Sequence, residues 1–203
     1  MFDIENYNNI ILDFDGVIIN TNKKKEENIK IALSKHFNKI PYEKCLTYFN
    51  QNPGISRRKK LEKFINNDTL LNQVLDDYKK ENYKTLFNCD LIPGILKFLK
   101  KIYLTHNVIL LSGSDDNELI DILKHKKLYP YFNFIGGAQK SKSCHLKELN
   151  ITKKTLYFGD SHYDNFVAKE FGFDFVFVCG FTKILSKNLE FEFIFEINNF
   201  NNL

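Results

Sequence analysis

Ile10-Ile11-Leu12-Asp13-Phe14-Asp15-Gly16-Val17 is the stretch that decides the fold. Its apolar run reads as a buried strand, and the glycine after the second aspartate turns the chain. Side chains on a strand alternate faces with period two, so Asp13 and Asp15 leave the strand pointing the same way. Burying charge is costly unless it binds a metal or does chemistry. Two carboxylates converging where a strand opens into a loop form a cation site and a nucleophile–acid pair.

Further short apolar runs bounded by Gly, Asp or Ser predict strands at 9–14, 107–112, 132–136, 154–159 and 174–179, with an edge strand within 191–197. Helical patterns lie between them. Pro93 opens one helix, Asp115 or Asp116 caps the next to about Leu128, and another covers 163–171 with Gly172 as its stop. Strands alternating with helices predict an α/β fold, a Rossmann-like doubly wound parallel sheet. A strand–helix–strand crossover takes roughly 30 residues, yet 97 positions separate Asp15 from Ser112. The excess predicts an inserted helical cap at 20–90, with helices at 22–37, 42–50, 56–66 and 68–87, on a core of 1–19 and 91–203. The Asn-rich tail from Asn198 to Leu203 is expected to fray.

A chain of 203 residues buries one sizeable core plus a small accessory domain. No apolar run approaches the roughly 18 residues that span a membrane, so no membrane partner is expected. The four cysteines are widely spaced and no secretory signal is visible, which predicts a reduced, cytoplasmic protein. Residues 21–65 carry twelve Lys/Arg against four Glu, while the remainder carries 17 basic and 21 acidic residues. A basic segment facing an acidic domain suits an anionic substrate. No RNP-like, zinc-finger or Gly-rich motif accompanies it, so nucleic acid is not the expected partner.

Ligands of open α/β sheets bind beyond the C-terminal strand ends. There the first strand delivers Asp13 and Asp15, and the second delivers Ser112, Gly113 and Ser114. The third leads to Lys140 and Lys142, and the fourth to Gly159-Asp160-Ser161-His162-Tyr163-Asp164. Carboxylates, a hydroxyl and lysines together fit Mg²⁺-assisted phosphoryl transfer: hard oxygens for the cation, donors and positive charge for phosphoryl oxygens.

These four motifs, in this order and spacing, resemble those of the haloacid dehalogenase superfamily of aspartate-nucleophile phosphotransferases. An insertion just after the first motif is similar to the first cap class, as in β-phosphoglucomutase and phosphoglycolate phosphatase. The resemblance implies that Asp13 is the nucleophile and that Asp15 is the general acid, then the base. It implies that Asp13, the Asp15 backbone carbonyl and Asp160 hold Mg²⁺, with Asp164 acting through water or by orienting other groups. Ser112 and the Gly113 N–H would bind phosphoryl oxygens. The register from Gly137 to Leu146 puts Lys142 at the lysine position, with Lys140 as the alternative. The family's Ser-Pro is Ala138-Gln139 here. Asp15 must be protonated near neutrality, which the cap is expected to promote by excluding water.

In the cap, Gly54-Ile55-Ser56-Arg57-Arg58 resembles the substrate-specificity loop of β-phosphoglucomutase-like members. That likeness implies that Arg57, or failing it Arg58, grips a distal anionic group of the substrate. Asn20 and Lys25 fall where such members place cap-hinge and substrate-facing polar residues, which implies those roles here. His162 varies in such motifs, and Cys144 and His145 read as packing or surface residues. His36, His106 and His125 are expected to face solvent, and the alternating Phe171, Phe173, Phe175 and Phe177 read as strand and core.

The implied function is a Mg²⁺-dependent phosphatase for a small phosphorylated metabolite, a sugar or sugar-acid phosphate, working as monomer or dimer. Alternatives are a phosphosugar mutase, which returns the phosphoryl group to substrate, and a receiver-type phospho-accepting domain. The mutase motif corresponding to Gly159-Asp160-Ser161 looks like Glu-Asp-Ser without the later aspartate. Receiver domains lack an aspartate at the position of Asp15 and lack the insertion.

Overall fold

The computed structural model describes residues 3–151, 154–185, 187 and 192–203. Six parallel strands form one sheet: β1 (Asn9–Leu12), β2 (Asn107–Leu111), β3 (Phe134–Gly136), β4 (Thr155–Gly159), β5 (Asp174–Val178) and β6 (Phe195–Ile197). Their order is β3-β2-β1-β4-β5-β6. β1 is central, with Ile10 opposite Val108 on one side and Leu156 on the other.

Period-two alternation explains why both faces are covered. Ile10, Leu12, Val108, Leu110, Leu156, Phe158, Val176 and Val178 point into one apolar layer. Ile11, Ile109, Leu111, Tyr157, Phe175 and Phe177 point into the other. A strand buried on both faces reads as a continuous apolar run, which is how these strands read in the sequence.

Four helices follow β1: α1 (Asn22–Ser34), α2 (Tyr42–Gln51), α3 (Arg57–Glu62) and α4 (Asp68–Thr85). They pack around an apolar cluster of their own that includes Ile29, Leu33, Phe49, Leu61, Val74 and Tyr78. The chain leaves and re-enters the sheet side by side. The Asn20 N–H donates to the Asp90 carbonyl and the Ile92 N–H to the Ile18 carbonyl, both at 2.9 Å. The remaining helices are α5 (Ile95–Ile102), α6 (Asp116–His125), α7 (Lys142–Leu149) and α8 (His162–Phe171). Side chains of Asp115, Ser141 and Ser161 cap α6, α7 and α8, and Gly172 ends α8.

Several elements are shorter than their sequence patterns. β1 stops at Leu12 because the Asp13–Ile19 segment folds back on itself, with the Ile18 N–H bonded to the Phe14 carbonyl at 2.9 Å. The first helix ends at Ser34 and a 3-10 turn covers Phe37–Lys39. α6 ends at His125, and Lys127 adopts a positive φ just beyond it. Of the expected edge strand, Phe195–Ile197 pairs with β5, and residues 188–191 lie outside the described residues.

Two expectations are corrected. The tail is anchored: the Phe200 N–H donates to the Pro93 carbonyl, and its ring is buried against Phe98 and Phe158. Aromatic burial outweighs the composition of the Asn-rich tail. Of the histidines, His125 is exposed, but His106 is buried, with Nε2 3.2 Å from the Ile4 carbonyl. His36 is half-buried and pairs with Asp77 at 3.0 Å.

Candidate active site

The C-terminal ends of β1, β2 and β4 converge beneath the four inserted helices. A cavity of about 540 Å³ lies between them, lined by Asp13, Asp15 and Asp160 below and by Arg57, Lys60 and Tyr78 above. Its floor is built by the strands themselves. The Asp13 N–H donates to the Phe158 carbonyl, and the Ser112 N–H to that of Gly136, extending the ladders one residue past the strand ends.

Asp13 is buried, and its Oδ1 accepts from Lys142 Nζ at 2.5 Å. Lys142, at the start of α7, also donates to Asp164 Oδ1 at 2.6 Å. Asp164 in turn accepts from the Tyr157 hydroxyl at 2.9 Å and from the Ser161 hydroxyl. Both Asp164 oxygens are therefore occupied in fixing Lys142 against Asp13. Lys140 points outward to Glu148, 2.7 Å away. A helix start places only one of the two lysines inward, and here it is Lys142.

Asp160 is buried, and its Oδ2 accepts from Asn22 Nδ2 at 2.7 Å. One carboxylate oxygen from each of Asp13, Asp160 and Asp164 lies within 4.8 Å of the others. Burial, with the charges of Asp13 and Asp164, raises the Asp160 carboxyl well above its usual value. Burial likewise pushes Asp13 up to about 7; Lys142 opposes the shift and the neighbouring carboxylates add to it. Crowded, desolvated carboxylates of this kind are the hard-oxygen set that a divalent cation stabilises.

Asp15 sits differently. Its Oδ2 accepts from Lys25 Nζ at 2.6 Å and Ser114 Oγ at 3.1 Å, and its Oδ1 accepts from Thr21 Oγ1 at 2.5 Å. Burial alone would raise this carboxyl, but Lys25 and the two hydroxyls outweigh it and hold it below the usual carboxylate value. These contacts favour the ionised form of Asp15, against the water exclusion expected to favour the neutral one. Lys25, expected to face the substrate, is paired with Asp15 and also donates to Ser114 Oγ at 2.6 Å.

The inserted helices reach the site through a close approach. A Cβ on Gly113 would stand 2.7 Å from the Gly54 carbonyl oxygen, so the loop after β2 and the loop before α3 touch where only glycine fits. Ser112 is buried, its Oγ accepting from the Ser114 N–H at 3.0 Å. Arg57 lines the cavity, but its guanidinium is engaged in a fork with buried Glu118 of α6, at 2.8 and 3.1 Å. It also lies over the Tyr78 ring, and Asn82 donates to the same carboxylate at 3.1 Å. Arg58 points away, to Asn72 at 2.6 Å. Asn20 and His162 line the cavity as exposed residues. Cys144 is exposed, and His145 is buried against the Gly137 carbonyl.

Sequence reasoning missed the roles of Glu118, Tyr157 and Asp116. Asp116 accepts from the Gly137 and Gln139 N–H groups and so shapes the loop that precedes Lys142. A signal existed for Glu118: it shares the apolar face of α6 with Leu119, Ile122 and Leu123, where a carboxylate needs a partner.

Solved structures with the same fold cover nearly the whole chain. β-Phosphoglucomutase of Clostridium difficile is 21% identical over 97% of this chain and 93% of its own, with a TM-score of 0.75. A predicted phosphatase of Clostridium acetobutylicum is 20% identical over 95% and 94%, with a TM-score of 0.72. A haloacid dehalogenase-like family hydrolase of Streptococcus pneumoniae is 15% identical over 94% and 93%, with a TM-score of 0.71. No curated protein matches the sequence. The model of one family, described as haloacid dehalogenase-like hydrolase, matches residues 10–178. That span holds Asp13, Ser112 and Asp160 just past their strands and Lys142 at the start of α7, and the chain belongs to the haloacid dehalogenase-like hydrolase family.

Proposed function

We propose that this protein is a Mg²⁺-dependent phosphatase acting on a small phosphorylated metabolite, a sugar or sugar-acid phosphate. The observation that carries the reading is the buried trio of Asp13, Asp160 and Asp164, two of them bonded to Lys142, with a second strand-end carboxylate, Asp15, facing the same cavity. Residues 20–90 act as a cap over the core of 1–19 and 91–203. The carboxylates of Asp13 and Asp160 and the backbone carbonyl of Asp15 would hold Mg²⁺, and Asp164 orients Lys142. When bound, the cation offsets the negative charge of the phosphoryl oxygens.

Ser112 and the Gly113 N–H bind phosphoryl oxygens, and Lys142 orients the Asp13 carboxylate. Asp13 attacks phosphorus, and the bond to the leaving oxygen breaks as Asp15 delivers a proton to that oxygen. Asp15 then takes a proton from water, whose oxygen attacks the aspartyl-phosphate. Inorganic phosphate leaves and Asp13 is restored. For Asp15 to carry the first proton, Lys25 must turn from it towards the phosphoryl group, which its contact with Ser114 beside Ser112 favours. The asparagine and glutamine side chains lining the cavity, at positions 20, 22, 50 and 51, suit sugar hydroxyls.

The test is release of phosphate from p-nitrophenyl phosphate. It should require a divalent cation and fall at least about 1,000-fold in Asp13→Asn. Wild-type-like turnover in that variant, or turnover indifferent to chelators, would overturn the reading. Conversion of a hexose 1-phosphate to its 6-phosphate, primed by the bisphosphate, would instead identify a mutase.

A further inference from the structure

Resting on that reading, we infer that Lys60 is the receptor for a second acidic group on the substrate, a carboxylate or phosphate distal to the one transferred. Lys60 lies on α3, is buried, and lines the same cavity as Asp13 and Asp15. Its Nζ sits over the Phe49 ring at 3.7 Å and 3.3 Å from the Phe49 carbonyl oxygen. Among the described residues, no carboxylate lies within ion-pair distance of it.

Each of the other buried or half-buried cations of the cavity, and exposed Lys183, has a carboxylate partner. Lys25 pairs with Asp15, Arg57 with Glu118 and Lys183 with Glu26, while Lys23 is exposed. Arg57, the residue that motif resemblance assigns to a distal anion, already holds one inside the protein. Lys60 stands one helical turn further along α3, with its ammonium uncompensated.

Taking an ammonium out of water without an anion costs several kcal/mol. A ring face and one carbonyl offset only part of that. Burial, then the charges of Lys25 and Arg57, lower its pKa to about 7, the sign of a cation poorly compensated where it stands. A lysine serving only to pack α3 on α2 would be as well replaced by an apolar residue. Opening onto the reaction cavity, it is positioned instead for an incoming anion.

The test measures binding by calorimetry with divalent cations chelated, so that turnover does not enter. Glucose 1-phosphate is compared with glucuronic acid 1-phosphate and with glucose 1,6-bisphosphate; the two arms separate a carboxylate from a phosphate. Wild type should bind one acidic ligand about tenfold or more tightly than glucose 1-phosphate, the scale of one charge-assisted hydrogen bond. Lys60→Met should lose that margin and Lys60→Arg should keep part of it. Lys60→Gln serves if the Met variant fails to fold. No acidic preference in wild type, or the same preference in Lys60→Met, overturns the inference. Acidic preference without phosphate release from any substrate would sink the phosphatase reading and leave this one standing. Release without dependence of the preference on Lys60 would do the reverse.

Discussion

A methyl group on residue 16 would stand 2.2 Å from Asp160 Oδ2 and 2.5 Å from Asn22 Nδ2. Gly16 has φ +76°, which an L side chain also disfavours, by roughly 1–2 kcal/mol. Gly16→Ala should therefore lower the melting temperature and push Asp160 off its position. At least about tenfold more Mg²⁺ should then be needed for half-maximal activity. An unchanged Mg²⁺ requirement in a folded variant would remove Asp160 from the metal site. Much at this scale was readable in advance. Asp13, Asp15, Ser112 and Asp160 follow closely on their strands, and Lys142 opens the helix after β3, where the topology collects them. Lys25 and Arg57 were readable as cations near the cavity, but their partners were not. A bond between Arg57 and Glu118 joins positions 61 apart in the chain, and no local pattern encodes that distance.

Among the elements, α3, α4 and α6 are tied by one buried polar knot of Arg57, Asn82 and Glu118. Breaking a buried pair leaves an uncompensated charge, at a cost of about 3–5 kcal/mol. Glu118→Ala should lose about that much in urea unfolding, and the double variant Arg57→Met with Glu118→Leu should recover most of it. Equal losses in the two would show that packing, not charge, sets the cost. The helical pattern at 56–66 is realised as the six-residue α3, whose first residue, Arg57, belongs to this knot. The start of α6 was legible because Asp115 is a capping residue, and Ser141 and Ser161 cap α7 and α8 by the same chemistry. Helix ends were less legible, since tertiary contacts decide where the last turn unwinds.

Over the whole molecule, two apolar layers clothe the sheet and a third fills the inserted helices. Polar pairs cross the seam between insertion and sheet side, such as Lys25–Asp15, Arg57–Glu118, Lys79–Asp115 and Tyr83–Asp121, beside the apolar contact of Leu86 with the core. The C-terminal residues belong to the sheet side, where Phe200 is wedged between Phe98 and Phe158. Phe200→Ala should cost about 3–5 kcal/mol in global unfolding. A loss below about 1 kcal/mol would mean that the tail is dispensable.

The sequence by itself determined the order of strands and helices, the place of the insertion and the carboxylates at the strand ends. Each of these rests on short-range periodicity, capping chemistry or the rule that strand ends collect ligands. Tertiary structure alone decided which of the cavity's buried cations meet a carboxylate of the protein. It brought Lys25 to Asp15, Arg57 to Glu118 and Lys142 to Asp13, and left Lys60 over Phe49. Coulomb attraction and desolvation depend on separation in space, and the fold sets that separation for residues far apart in the chain.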